Sequence, residues 1–246
     1  MNADGFGDDI VPARGLDQEP LVSVIIPTLD EVVALPGTLD HLAALPGRFE
    51  VMVCDGGSSD GTIEAAARHP LRPRLVPEAG GRARQLNAGA AEAGGELLVF
   101  LHADTRLPVD AYASLTEALS DFEIVGGNFA LRFDGGDRFS RLLGAVYALQ
   151  RRLGVYYGDS AVWVRASTFA ALDGYRPLAI MDDYDFVRRL ERFGRTACLP
   201  GPAVTSARRW QRLGLARTVA SWVVIRWLYL AGVPARRLAG LYRRAR

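Results

Sequence analysis

Short unbroken apolar runs alternate along this chain with stretches whose apolar residues recur every third or fourth position. LVSVII (21–26), Phe49 to Cys54 and residues 97–101 are the continuous runs, as expected of strands buried on both faces of a parallel sheet. Pro27 closes the first of them. Leu35, Leu39, Leu42 and Leu45 then fall at helical spacing, ending at Pro46 and Gly47. Residues 62–68, 80–95 and 108–120 read as further helices, the last with Pro108 near its first turn, and 74–79 as a short strand. This strand–helix alternation predicts an α/β architecture with a mostly parallel sheet covered by helices on both faces. Beyond it the pattern predicts a glycine-kinked strand (125–133), a helix (138–153), a strand (160–166), a helix (183–193) and a short strand (196–199).

The last stretch, 213–246, is helical in pattern and rich in Arg. Residues 215–233 are apolar, but Arg217 and Arg226 interrupt them, so the uninterrupted runs fall short of the about 20 residues that cross a bilayer. Trp222, Trp227 and Tyr229 suit a headgroup layer. A helix lying on an anionic membrane surface is expected, at the inner face of the cell membrane. Packing on the main domain, or a dimer interface, is the competing use of the same apolar side. Three units follow: a flexible arm (1–20), a main domain (21–210) and an amphipathic helical tail (211–246).

At 246 residues and 49% apolar content the chain can build a sizeable core. Its net charge of +1 conceals an asymmetry, since no Asp or Glu follows Glu191 while Arg recurs to the end. There is no lysine, so every cationic side chain is a guanidinium suited to bidentate phosphate contacts, and the phosphate-binding loop that needs Lys is excluded. Cys54 and Cys198, in apolar strands without metal-ligand spacing, are expected to be buried thiols, which fits a reducing, cytoplasmic setting. The first twenty residues, acidic and without an apolar core, do not read as a signal peptide. No nucleic-acid partner is expected.

Six stations can carry chemistry. In PTLDE (27–31), Pro27 ends a strand and Glu31 opens a helix, where its carboxylate either accepts ribose hydroxyls or complements the helix dipole. In FEVMVCDGGSSDGT (49–62), Asp55 ends a strand at the sheet edge where α/β proteins bind ligands, and Gly56 and Gly57 let backbone approach. Asp55 can accept an N–H from a base such as uracil, or it can hydrogen-bond its own turn. Asp60 reads equally as ordinary cap chemistry. In GGRARQLNAG (80–89), Arg82 and Arg84 add guanidinium groups to a helix N-terminus that already favours a diphosphate, and Asn87 can bond a sugar or backbone. LHADT (101–105) brings Asp104, a hard ligand for Mg²⁺ or Mn²⁺, with His102 pointing the same way if strand geometry persists; a buried, hydrogen-bonded histidine is the other role. AIMDDYDFVRRL (179–190) clusters Asp182, Asp183 and Asp185 at a helix start, where mutual repulsion can raise one towards a useful base. In SARRWQR (206–212), Arg208, Arg209 and Trp210 can clamp a phosphate or stack on a sugar or lipid.

The order of these stations resembles that of the family 2 glycosyltransferases, over about residues 21–210. VSVIIPTLDE, VMVCDGGSSDGT, the GRARQLNAG helix, FLHADT, GDSAVWVRA and MDDYDF carry the likeness, closest to small single-domain bacterial members. The resemblance implies a GT-A fold, Rossmann-like in its nucleotide-binding half, and inverting, metal-assisted transfer of a sugar from a nucleoside diphosphate to an acceptor hydroxyl. It implies nucleoside contacts at Glu31, Asp55 and Asp60, a metal ligand at Asp104 and the general base at Asp183. His102 stands where the family's metal motif has its first acid, and Asp182–Asp183 replaces the usual Glu–Asp pair. Arg208, Arg209 and Trp210 match the acceptor-side motif loosely, and a lipid-linked acceptor would suit a membrane-lying tail. The other readings are a silent nucleotide- or carbohydrate-binding scaffold and a sugar nucleotidyltransferase. The latter resemble one another in a Gly-rich basic loop after strand one, which PTLDE lacks.

Overall fold

The computed structural model describes residues 19–135, 137–206 and 215–245. Its first half follows the expected alternation: β1 (Val22–Thr28), α1 (Leu35–Ala44), β2 (Phe49–Asp55), α2 (Thr62–Arg68), β3 (Arg74–Pro77), α3 (Arg82–Glu92) and β4 (Leu97–Phe100). Then come β5 (Thr105–Arg106), α4 (Ala111–Ser120), β6 (Ile124–Phe133), α5 (Arg138–Arg152), β7 (Val162–Arg165), α6 (Ala166–Ala171), α7 (Asp182–Phe193) and β8 (Arg195–Thr205). The strands form one sheet in the order β3-β2-β1-β4-β7-β6-β8-β5. Pairing is parallel from β3 to β4, β7 runs antiparallel to both its neighbours, and β6 is parallel to β8.

Side chains alternate across this sheet, and both faces are dry. Val22, Val24 and Ile26 of β1 pack with Leu35 and Leu39 of α1 and Leu115 of α4. Ile25, between them in sequence, joins Met52, Leu98 and Phe100 on the other face, under Leu86 of α3 and Phe186 and Val187 of α7. The first four strand ends therefore converge on one edge, with α3 and α7 beside them.

Some local expectations are corrected. Pro27 does not close β1, because it stays in register with Cys54 and Thr28 follows opposite Asp55. Pairing of β1 with β4 has already ended at Ile25, so on that side the missing proline N–H has no carbonyl to serve. Pro200, Gly201 and Pro202 lie inside β8, where a register irregularity between Phe129 and Leu131 of β6 absorbs them. Cys54 is buried, and its thiol is pushed up to about 12 by that burial. Cys198 is exposed. The short β5 and α6 were not anticipated.

The tail is two helices, α8 (Leu215–Leu230) and α9 (Ala235–Ala245), separated by a turn with Gly232 at φ +85° and by Pro234. Trp222 packs against a cluster of Phe133, Phe139, Leu143 and Tyr147, Ile225 is buried, and α9 folds back to bury Leu238 and Ala239. Among the described residues no helix is long and apolar enough to cross a membrane.

Candidate active site

Thr28 and Asp55 end adjacent strands in register, and this pairing starts the site. The Asp55 carboxylate accepts from the amides of Gly57 and Ser58, both at 2.8 Å, and from the hydroxyls of Ser58 (2.5 Å) and Thr28 (3.0 Å). Burial alone would raise its pKa, but the Ser58, Gly57 and Thr28 donors together hold it below the usual carboxylate range. Gly57, at φ +95°, lets the loop turn back onto that carboxylate. Sequence reasoning missed Gln85. Its buried amide on α3 donates to the carbonyls of Thr28 (2.7 Å) and Cys54 (2.8 Å), tying both strand ends to the helix.

Asp60 joins the loops after β1 and β2. It accepts from the amide of Val32 (3.1 Å) and from the amide and hydroxyl of Thr62 (3.0 and 2.5 Å), while Thr62 accepts from the Glu31 amide at 2.8 Å. Asp30, with positive φ, accepts from the Ser59 amide at 2.8 Å and strengthens the same junction. Pro27 and Glu31 thus flank a loop pair held rigid by its own carboxylates, at the edge where the sheet presents its carboxyl ends.

A second cluster forms where α3 meets α7. Arg82 Nε lies 3.5 Å from Asp182, and its terminal nitrogen lies 3.6 Å from Asp183. Asp183 also accepts from the amides of Gly158 (3.0 Å) and Tyr184 (2.8 Å). Gly158 is required here by space, because a Cβ would stand 2.5 Å from the Arg82 guanidinium and 3.1 Å from His102 Nε2. The two acids diverge. Burial pushes Asp182 up, and the charge of Asp183 adds to this against the pull of Arg82. Burial also works on Asp183, yet Arg82, the Gly158 and Tyr184 amides and nearby His102 hold it low, so it is the ionised member. Arg82 responds in kind: burial opposes its charge, but Asp182 and Asp183 more than restore it. Asp185 is committed elsewhere, accepting from Arg176 (3.1 Å) and Arg189 (2.8 Å).

Not every expected residue joins these clusters. Arg84 is exposed beside Gly80, and among the described residues no ion pair joins it to the acids that hold Arg82. Asn87 is a structural clamp, exchanging two hydrogen bonds of 2.8 Å with the backbone of Tyr175. Because β4 stops at Phe100, His102 and Asp104 sit in a turn closed by the Thr105 amide on the His102 carbonyl (3.1 Å), and strand alternation does not align them. Among the described residues no three His, Cys, Asp or Glu side chains gather closely enough to hold a metal by themselves. His102 Nε2 lies beside Gly158 and Arg82, and Asp104 shares its turn, so a cation held by these two residues would need further oxygen donors from a bound ligand. Arg208, Arg209 and Trp210 lie outside the described residues.

An aromatic wall borders Asp183. Tyr157 and Tyr184 stack with centroids 6.0 Å apart, Tyr147 lies 5.9 Å from Tyr157, and Tyr229 of α8 meets Tyr184 edge-on at 5.9 Å. Arg226 of α8 sits 5.8 Å above the Tyr184 ring. The sequence signal for this wall was weak, since its members come from four separate segments. Two surface depressions elsewhere, one lined by Phe49, Glu50, Arg72 and Arg74 and one by Gly94–Glu96 and Arg165, include none of the acidic strand ends.

The fold has known counterparts. A mannosyltransferase from Pyrobaculum calidifontis, solved with GDP-mannose and Mn²⁺, superposes with a TM-score of 0.66 at 22% identity, over 87% of this chain and 65% of that one. Glucosyl-3-phosphoglycerate synthase from Mycobacterium tuberculosis, solved with Mn²⁺, UDP and phosphoglyceric acid, gives 0.60 at 20% identity, over 87% and 80%. Both share the GT-A fold expected from the sequence. The undecaprenyl-phosphate 4-deoxy-4-formamido-L-arabinose transferase of Aeromonas hydrophila is 31% identical over 159 residues, 59% of this chain. The chain spans about half the length of that relative, 48% of it being matched. The family model for glycosyl transferase family 2 matches residues 23–173, and the chain belongs to that family.

Proposed function

We propose that the protein is an inverting glycosyltransferase that moves a sugar from a nucleoside diphosphate to an acceptor hydroxyl. The observation that carries this reading is the ionised Asp183, fixed by two backbone amides and Arg82 beside the aromatic wall. In this assignment Asp183 takes the proton from the acceptor hydroxyl as its oxygen attacks the anomeric carbon in line and the diphosphate leaves. Asp55 and Asp60, with Glu31 and Pro27, shape the nucleoside subsite, while Arg82, and Arg84 from the surface, meet the diphosphate. A divalent cation on Asp104 and His102 would neutralise the leaving group when bound. Asp182, kept towards its neutral form by burial, lines the acceptor side. A screen of nucleotide sugars for nucleoside diphosphate release, with and without Mn²⁺, tests the assignment. One donor should turn over in a metal-dependent way. Binding without turnover of any donor would leave a silent binding protein.

The acceptor side suggests a membrane. Trp227, Val224 and Leu230 of α8 are 68%, 53% and 52% exposed, and Leu142, Leu149 and Leu153 make a comparable stripe on and just after α5. No carboxylate follows Glu191 to oppose anionic lipid. We read these helices as resting peripherally on the inner face of the cell membrane, which favours a lipid-linked acceptor; the Aeromonas hydrophila relative is named for one. Flotation with anionic liposomes should carry the protein at low salt, less so at high salt, and less for Trp227→Glu. Protein that stays behind at low salt would remove the membrane from the account.

A further inference from the structure

Helix α8 exposes apolar side chains to solvent and turns a charge inward. A helix at a protein surface ordinarily packs its apolar side and leaves charge in water. In α8 the exposed positions include Val223, Val224, Trp227 and Leu230, whereas the arginine between them, Arg226, turns inward onto the ring of Tyr184. No carboxylate among the described residues pairs with Arg226, and none exists on its own helix. Its surroundings are the stacked Tyr157 and Tyr184 and the edge-on Tyr229. Burial raises the Tyr157 phenol to about 12, and the Arg226 charge works against that rise, so its field reaches the Tyr157 hydroxyl.

These rings lead directly to the reaction centre. Tyr184 follows Asp183 in the chain and donates its amide to that carboxylate, and Tyr157 precedes Gly158, which donates the second amide. The Arg226 guanidinium carbon lies 5.8 Å from the Tyr184 ring centroid, and a guanidinium placed here is suited to bidentate recognition of a tetrahedral oxyanion. An apolar side chain would dock the helix as well without bringing a charge to this place.

We propose that Arg226 is the recognition group for an anionic acceptor, a phosphate monoester carried on a lipid or on a small soluble molecule, held so that its P–OH is the hydroxyl whose proton Asp183 takes. This rests on the glycosyltransferase reading and adds to it the chemistry of the acceptor. The tail then belongs to the binding site: its outward apolar side faces lipid or solvent, and its inward arginine reads the acceptor.

The full chain, saturated with nucleoside diphosphate and Mn²⁺ so that the donor subsite is filled, is titrated calorimetrically with inorganic phosphate, farnesyl phosphate and farnesol. Wild type should bind both phosphates, and Arg226→Gln should weaken them by tenfold or more. Arg226→Lys should retain part of the affinity, and farnesol should not distinguish the variants. Farnesyl phosphate binding well above inorganic phosphate assigns a lipid-borne acceptor, and equal binding a soluble one. Equal phosphate affinity in wild type and Arg226→Gln, or no phosphate binding to wild type, overturns the proposal and leaves Arg226 as a helix dock. Metal-dependent hydrolysis of the sugar donor by the wild type, measured without acceptor on the same preparation, separates the two readings: its absence counts against the glycosyltransferase assignment itself, whatever the phosphate titrations show.

Discussion

Around Asp55 both carboxylate oxygens are satisfied by the amides of Gly57 and Ser58 and the Ser58 hydroxyl, a few residues on in the chain, and by the Thr28 hydroxyl on the adjacent strand. Around Asp183 the partners come from far away: Arg82 from a helix about a hundred residues earlier, Gly158 from a turn, and the ring of Tyr229 from the tail. The first region is a preformed loop, held in shape by its own acids. The second is an assembled charge cluster whose two carboxylates are driven apart in proton affinity by burial and one guanidinium. The difference suggests a division of labour. A rigid rim suits recognition of a constant nucleotide, whereas a cluster with uneven proton affinities suits proton transfer.

The strongest challenge to that division is Asp183→Asn, which should keep nucleotide binding and lower transfer by about 10²–10⁴-fold, the usual size of a general-base contribution. Asp182→Asn should be milder in steady-state assays, and a reversed ranking would move the base. Asp55→Ala should abolish donor turnover and also loosen the rim. The amides and hydroxyls it leaves behind should cost about 1–3 kcal/mol, read as a drop of roughly 2–4 °C in Tm for each kcal/mol. Because the folded pKa of Asp55 is depressed, its stabilisation is present above the unfolded value of about 3.9 and fades as pH falls through the folded one. The wild-type advantage in thermal melts should therefore shrink in acid.

Subtler is Asp104→Ala, which should remove the Mn²⁺-dependent increment of nucleotide affinity and leave metal-free affinity in place. Affinity that still responds to Mn²⁺ would take Asp104 out of the metal site. Arg82→Gln tests the coupling between the two regions. Asp183 must be ionised to accept a proton, and Arg82 lowers its pKa, so without Arg82 that pKa rises. The acid limb of the kcat profile at saturating donor should then move to higher pH. An unmoved limb would mean that Arg82 serves the diphosphate alone.

What the sequence disclosed follows the same divide. The Asp55 loop was readable because its chemistry is contiguous and follows an apolar run long enough to be a buried strand. The alternation of β1 to β4 was readable for a similar reason, since two dry faces demand unbroken apolar runs. Asp183 could be singled out only within a trio of acids. What separates it from Asp182 and Asp185 is which distant cation each one meets, and no local pattern encodes that. Strand alternation aligns His102 with Asp104 only if β4 continues through them, whereas the strand ends at Phe100. Gln85 passed unnoticed because a buried amide on a helix looks like any polar residue until the strand carbonyls beneath it are known. In the tail, periodicity predicted one amphipathic helix, but Gly232 and Pro234 divide it, and the inward side of α8 carries its arginine.

The separation of nucleotide recognition from proton transfer is tested most directly by calorimetric titration of nucleoside diphosphate, with Mn²⁺, into wild type, Asp55→Ala and Asp183→Asn. Wild type and Asp183→Asn should bind alike, and Asp55→Ala should bind weakly with or without the metal. Loss of binding in Asp183→Asn, or full binding in Asp55→Ala, would contradict the account.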